Sequence, residues 1–178
     1  MSKYKFGKQK KTLEPEAFAE IMLKGSFKKI IHKAFLVLLY YTGARVSEIL
    51  NLKWEDFEIK DNILYVDCLA SKHGVDRPPY DLPLQLPHMK WVYTVLKKRK
   101  KGLGPFTFTR QTAWNIIKRV MPKHYPHYFR LNRAVQMLAQ GKPKDKVRIW
   151  FGWKQWKTIE NYFGISLKAT EGLSEGLA

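Results

Sequence analysis

Acidic residues are scarce in this chain, and cysteine is almost absent. Its 178 residues include 15 Asp plus Glu against 33 Lys plus Arg, a formal net charge of +18. A folded domain under that much self-repulsion calls for a polyanion, with nucleic acid first and an anionic membrane surface second. The single cysteine, Cys68, excludes an internal disulfide. It reads as a small buried residue in a strand, in a protein kept in a reducing intracellular compartment. Long apolar runs are lacking as well. The most apolar stretch, Ala34 to Tyr41, falls well short of the roughly 20 residues that cross a bilayer. The basic start, Met1-Ser2-Lys3-Tyr4-Lys5, has no apolar signal region behind it, so secretion is not expected. Internal repeats and low-complexity segments are also missing.

What is present is enough for a packed globule. Hydrophobic residues make up 45% and aromatics 14%, which excludes a disordered polyelectrolyte and suits one domain with a real core. Residues 1–13 hold five lysines and read as a basic lead-in or linker remnant. Helical patterns follow over Glu14 to Lys24, with Pro15 at the start, and over Phe27 to Tyr41, with Ser26 as a cap. Gly43 sits where a left-handed C-cap is expected, and Val46 to Leu52 reads as a short helix. The grammar then changes. Ile63 to Val66 and Tyr80 to Leu84 read as strands around a turn at Ser71 to Gly74. Helices resume over Pro87 to Lys101, Thr109 to Val120, Pro126 to Gln140 and Lys144 to Phe151, with a last one through Ile159 and Tyr162. The expected fold is mainly α with a small antiparallel β-sheet.

Several side chains suit chemistry on a phosphate. Arg45 follows a helix-ending glycine, where capping is the simpler reading. Arg130 lies one helical turn after His127. Guanidinium stays charged and donates in a fork that matches two non-bridging phosphate oxygens. Two such forks stabilise a transition state of higher negative charge without a metal. His124 and His127 have superficial ligand spacing, but no third ligand accompanies them, so no metal site is expected. The run Lys97 to Lys101 complements a helix dipole and is available to a phosphate backbone, as are Arg110, Lys118, Arg119 and Lys123.

The order of these motifs resembles the tyrosine recombinases, also called the phage-integrase family. Tyr41-Thr42-Gly43-Ala44-Arg45-Val46-Ser47-Glu48 through Trp54 looks like the family's first conserved box. Pro126-His127-Tyr128-Phe129-Arg130 resembles its second box, and Phe151-Gly152-Trp153 through Tyr162 resembles the stretch that ends in the nucleophile. The hairpin Ser71 to Arg77 is similar to the turn that carries the family's lysine. The resemblance implies the catalytic-domain fold of that family, with Tyr162 attacking DNA to form a 3′-phosphotyrosyl link and release a 5′-hydroxyl. Arg45 and Arg130 would clamp the phosphate, and Lys72 would protonate the departing oxygen. His127 would assist proton transfer, and Trp153 would donate its indole N–H to the phosphate. Glu48 would orient neighbouring basic groups. Arg77 and Lys60 are alternative cations near Lys72. This chain departs from the family in having Trp153 where many members have histidine, and Leu131-Asn132 where His-Thr is common.

The same resemblance implies no cofactor, no metal and no small-molecule substrate. Its partners would be double-stranded DNA and further copies of itself in a tetramer on DNA. Its place would be inside the cell on DNA, in the host cytoplasm or nucleoid if the source is viral. Residues 14–178 would form the catalytic domain of a site-specific recombinase, as an integrase of a virus or other mobile element. The family's N-terminal core-binding domain has no counterpart here, so a catalytic fragment is expected. Two other readings stay open at this level: a DNA-relaxing enzyme like the type IB topoisomerases, and a DNA-binding module without activity.

Overall fold

The computed structural model describes residues 12–68, 77–98, 102–160 and 162. Lys72, the rest of its hairpin turn and most of the lysine-rich lead-in lie outside the described residues. A central helix organises the core. This is α2 (Ile30–Thr42), in which every residue from Leu36 to Thr42 is buried. A helix that is apolar all round needs neighbours on every side. It receives them from α4 (Met89–Lys98), α5 (Arg110–Val120) and α6 (Pro126–Ala139). Around these lie α1 (Pro15–Lys24), α3 (Val46–Leu50) and α7 (Lys144–Phe151), and residues 156–160 add a last helical turn. The mainly α architecture with one small antiparallel sheet is as the sequence predicts.

The sheet has three strands in the order β1-β2-β3: β1 (Phe57–Lys60), β2 (Ile63–Val66) and β3 (Tyr80–Pro83). All pairing is antiparallel, with Phe57 opposite Val66 and Val66 opposite Tyr80. Sequence reading misses β1. Its glutamate and lysine face water, and its half-buried Phe57 leaves no alternating stripe to detect. The hairpin signal was nonetheless present. Asp61 and Asn62 take positive φ of 51° and 61°, the geometry of a two-residue turn between right-twisted strands.

Two helix starts also differ from expectation. α2 begins at Ile30, not Phe27, and Ser26 does not cap it. The reason lies in the preceding turn, where Phe27 folds back so closely that a Cβ on Gly25 would stand 2.8 Å from its ring. α4 begins at Met89, after His88 takes a positive φ of 68°. α3 ends at Leu50, and a 3-10 turn over Trp54–Asp56 leads into β1.

Leu13, counted by sequence with the lead-in, is instead buried. Its N–H donates to Asn132 Oδ1 at 2.6 Å. Its carbonyl accepts from Gln136 Nε2 at 2.8 Å and from the Tyr40 hydroxyl at 3.0 Å. Phe18 stacks on Tyr40, centroids 3.8 Å apart, and continues this anchor. Asn132 departs from the family's common residue, and its role here is structural, because it satisfies a buried backbone donor. Asn132→Ala strands that donor and is expected to destabilise the fold by about 1–3 kcal/mol. Urea denaturation, read as a midpoint shift at constant slope, checks this.

Candidate active site

Arg130 sits where three segments meet. It projects from the first turns of α6, a helix that Pro126 opens with its preset φ. It is 2% exposed. Its Nη1 donates to the Gly43 carbonyl at 3.2 Å, at the end of α2. Its Nη2 donates to the Phe151 carbonyl at 2.7 Å, at the end of α7. Both helices stop in the same way, on glycines in the left-handed region: Gly43 at φ 62° and Gly152 at φ 61°. Those stops turn their last carbonyls outward, and the guanidinium bonds to both negative helix ends.

The flat faces of Arg130 are occupied by rings. Its guanidinium carbon lies 4.8 Å from the Phe151 centroid and 5.6 Å from that of Trp153. Phe151 stacks on Trp153 at 4.6 Å and 19°, and Trp153 stacks on Tyr162 at 4.7 Å and 13°. The stack brings Tyr162 and Arg130 into electrostatic contact. Burial raises the phenol pKa, while Arg130 and Arg45 pull it back down. Tyr162 is thus protonated at neutral pH and lies beside cations that would steady a phenolate.

Arg130 also lines a cleft of about 480 Å³ together with Arg45, Ser47, His127, Arg110, Gln111 and Trp114. Arg45 stands at the entrance of α3 with its side chain 45% exposed. Glu48 holds it twice: Oε2 accepts from the Arg45 backbone N–H at 2.9 Å, and Oε1 from Nη1 at 2.8 Å. Glu48 is itself buried, and Arg77 approaches its Oε2 at 3.4 Å. Burial would raise the Glu48 pKa, but Arg77, the Arg45 bonds and Arg130 outweigh it and hold the carboxyl below its ordinary value. Glu48 thus contacts two neighbouring guanidinium groups at once.

His127 stands at the rim of the same cleft. Desolvation, then Arg130 and Arg45, lower its pKa, which keeps the ring neutral near pH 7 and able to accept a proton. His124 instead packs on the Tyr128 ring at 4.3 Å. Of the six residues the sequence singles out, five gather around Arg130: Arg45, His127, Trp153, Tyr162 and Arg130 itself. The sixth, Lys72, lies outside the described residues. Sequence reasoning missed Gln111 and Trp114 as lining residues. A tryptophan one helical turn after Arg110 was the available signal.

The profile of the phage integrase family matches residues 11–167. The chain belongs to the phage integrase family. Among its relatives, tyrosine recombinase XerA of Pyrococcus furiosus is 28% identical over 155 residues, covering 79% of this chain and 52% of that protein. Tyrosine recombinase XerD of Vibrio cholerae is 29% identical over 163 residues, covering 80% and 51%. A probable integrase/recombinase of Acholeplasma phage L2 is 30% identical over 149 residues, covering 79% and 51%. The chain spans about half the length of the curated relatives it matches. Among solved structures, XerH site-specific recombinase bound to its difH substrate superposes with a TM-score of 0.72 at 18% identity. That match covers 90% of this chain and 51% of that one. A lambda integrase dimer bound to a COC′ core site gives 0.61 at 20% identity, covering 83% and 46%. At such identities the likeness is one of fold, and the fold of this phage-integrase chain is that of recombinase catalytic domains.

Two outcomes follow from the geometry of this phage-integrase chain. A Cβ on Gly43 would stand 2.8 Å from Phe151 Cε1 and 2.9 Å from Arg133 Cβ, at a φ that favours glycine. Gly43→Ala is expected to destabilise the fold by about 2–4 kcal/mol, measured by chemical denaturation. The second outcome concerns pH. Burial lowers the pKa of His32, His88 and His124, so the folded chain binds fewer protons than the unfolded one. Their contribution to stability is complete above the ordinary histidine pKa of about 6.5 and is lost as pH falls through the folded values. Melting temperature should therefore drop on acidification below about pH 6.5, and a flat profile down to about pH 5 would contradict this.

Proposed function

We propose that this chain is the catalytic unit of a site-specific DNA recombinase, an integrase of a virus or other mobile element. In this reading residues 14–178 form the catalytic domain and cleave and rejoin duplex DNA through a 3′-phosphotyrosyl intermediate. One observation carries it. Arg130 joins the cleft of Arg45 and His127 to the ring stack that ends on Tyr162. Binding alone has no need of a phenol beside two arginines. The relatives named as tyrosine recombinases support the reading, as does the net charge of +18.

In the proposed step, Tyr162 Oη attacks the scissile phosphorus. A P–O bond to tyrosine forms as the bond from phosphorus to the 5′-oxygen breaks. The phenolic proton passes to His127, whose lowered pKa leaves its ring neutral. The departing 5′-oxygen takes a proton from Lys72, a role that rests on the family resemblance alone. Arg45 and Arg130 hold the non-bridging oxygens, where charge grows in the transition state. Arg130 commits two donors to carbonyls, and a guanidinium has five, so donors remain for phosphate. Trp153 adds an indole N–H, which donates and cannot accept. Attack by a 5′-hydroxyl on the phosphotyrosine reverses the step and restores the phosphodiester. Recombination would need further copies of the chain, assembled on DNA as a tetramer.

The test is adduct capture on a pool of duplexes with random sequence around a nick, with wild type and Tyr162→Phe side by side and a chelator present. A nick just downstream of a cleaved phosphate lets the short 5′-hydroxyl fragment diffuse away and traps the protein on DNA. A covalent band in wild type alone is the expected result. Equal bands from both proteins would remove Tyr162 as nucleophile, and no band from either would sink the catalytic reading for this chain.

A further inference from the structure

Arg77 lies near the cleft but points inward. Its side chain is 3% exposed, although the sequence puts it beside the Ser71 to Gly74 turn. It makes three contacts. Nη2 donates to the Cys68 carbonyl at 2.9 Å, drawing together the two chain ends at the base of that hairpin. Its guanidinium carbon lies 4.3 Å from the Tyr80 ring centroid. Its third contact is the ion pair with Glu48 Oε2 at 3.4 Å. Glu48 in turn accepts two bonds from Arg45, from the backbone N–H and from Nη1.

We propose that Arg77 is a positioning residue for the phosphate-clamping site, acting through Glu48 to hold Arg45 in place. The inference rests on the recombinase reading above. Its physical basis is the position of Glu48, a buried carboxylate whose own desolvation favours the protonated form. The groups that face it are the cations Arg77, Arg45 and Arg130, and the neutral Cys68 and Tyr80. Arg77 exerts the strongest charge on it. Arg45 is half-exposed and belongs, in the proposed reaction, to the phosphate, so its charge is shared when DNA is bound. Arg77 is out of solvent and does not line the cleft, so its charge stays with Glu48 throughout. With Arg77 gone, Glu48 gains a proton more readily, loses one acceptor position, and loosens its hold on the Arg45 side chain. Lysine keeps the charge, but it cannot make all three contacts of the planar fork.

The experiment compares wild type, Arg77→Gln, Arg77→Lys and the double variant Glu48→Gln/Arg77→Gln as full chains. Single-turnover adduct formation on the nicked random pool is followed against pH, alongside DNA affinity and melting temperature. Arg77→Gln should slow adduct formation by about 10- to 100-fold near neutral pH with little change in DNA affinity. Its rate should recover as pH rises and Glu48 ionises again, which places its acid limb at higher pH than the wild-type one. The double variant should be slow at every pH, and Arg77→Lys should be slowed less and keep the wild-type profile. A folded Arg77→Gln protein with wild-type rate and profile overturns the proposal. So does loss of folding in Arg77→Gln with wild-type kinetics in Arg77→Lys, which leaves Arg77 a structural role alone. Loss of folding in Arg77→Gln with slowed chemistry in Arg77→Lys supports it.

A carboxyl carbon NMR titration of Glu48 in wild type, Arg77→Lys and Arg77→Gln is independent of cleavage. The Glu48 pKa should rise in Arg77→Gln and stay near the wild-type value in Arg77→Lys, and an unchanged value in Arg77→Gln would contradict the coupling. If wild type makes no adduct, the recombinase reading fails on its own, and the titration still decides whether Arg77 governs Glu48.

Discussion

Folding takes the Arg130 guanidinium almost wholly out of water, and the surrounding chain is arranged to make that tolerable. Removing a cation from solvent costs several kcal/mol unless fixed dipoles replace the water. Here the replacements are the Gly43 and Phe151 carbonyls and the faces of Phe151 and Trp153. Each sits at a helix end, so the ends of α2 and α7 must converge on the start of α6. Gly43 permits that convergence because no side chain stands between it and Phe151. The Trp150 indole, which donates to the Thr42 carbonyl at 2.8 Å, closes the same junction from the other side. The buried cation and the helix geometry therefore depend on each other.

The two arginines of the cleft, Arg45 and Arg130, are held by different means, and the difference matters for charge. Arg130 is held by neutral groups and keeps its full positive charge. Arg45 and Arg77 share the single carboxylate of Glu48. One carboxylate faces three guanidinium groups, so the charge beside the cleft is net positive before any ligand arrives. A site of that kind suits the proposed phosphate, whose charge increases on the way to the transition state. The ring stack of Phe151, Trp153 and Tyr162 packs against Arg130, lowering the local dielectric on that side and strengthening its charge interactions.

Much of the fold was legible from periodicity and punctuation. Pro15, Pro126, Gly43 and Gly152 mark helix ends where those residues are physically required or favoured. What escaped was anything without a pattern of its own. β1 shows mostly polar residues to water and is legible only through its pairing with β2. The true start of α2 depends on Phe27 packing back over Gly25, a contact that local propensity does not contain. Asn132 looked like a weakened motif, yet it satisfies the backbone N–H of a residue 119 positions away.

By itself the sequence determined the basic character of this protein, its mainly helical class, and the identity and order of the side chains in the candidate site. Those properties reside in composition, in spacing along single elements and in motifs, all of which are local. Only the tertiary structure decided which of those side chains meet. Arg45, Arg130 and Tyr162 are far apart in the chain, and what joins them is a helix terminus, a buried carboxylate and a stack of rings. It also decided that Arg77 turns inward to Glu48 and not outward to solvent. A guanidinium's direction is set by which acceptors the folded chain brings within reach, and no single segment of sequence carries that information.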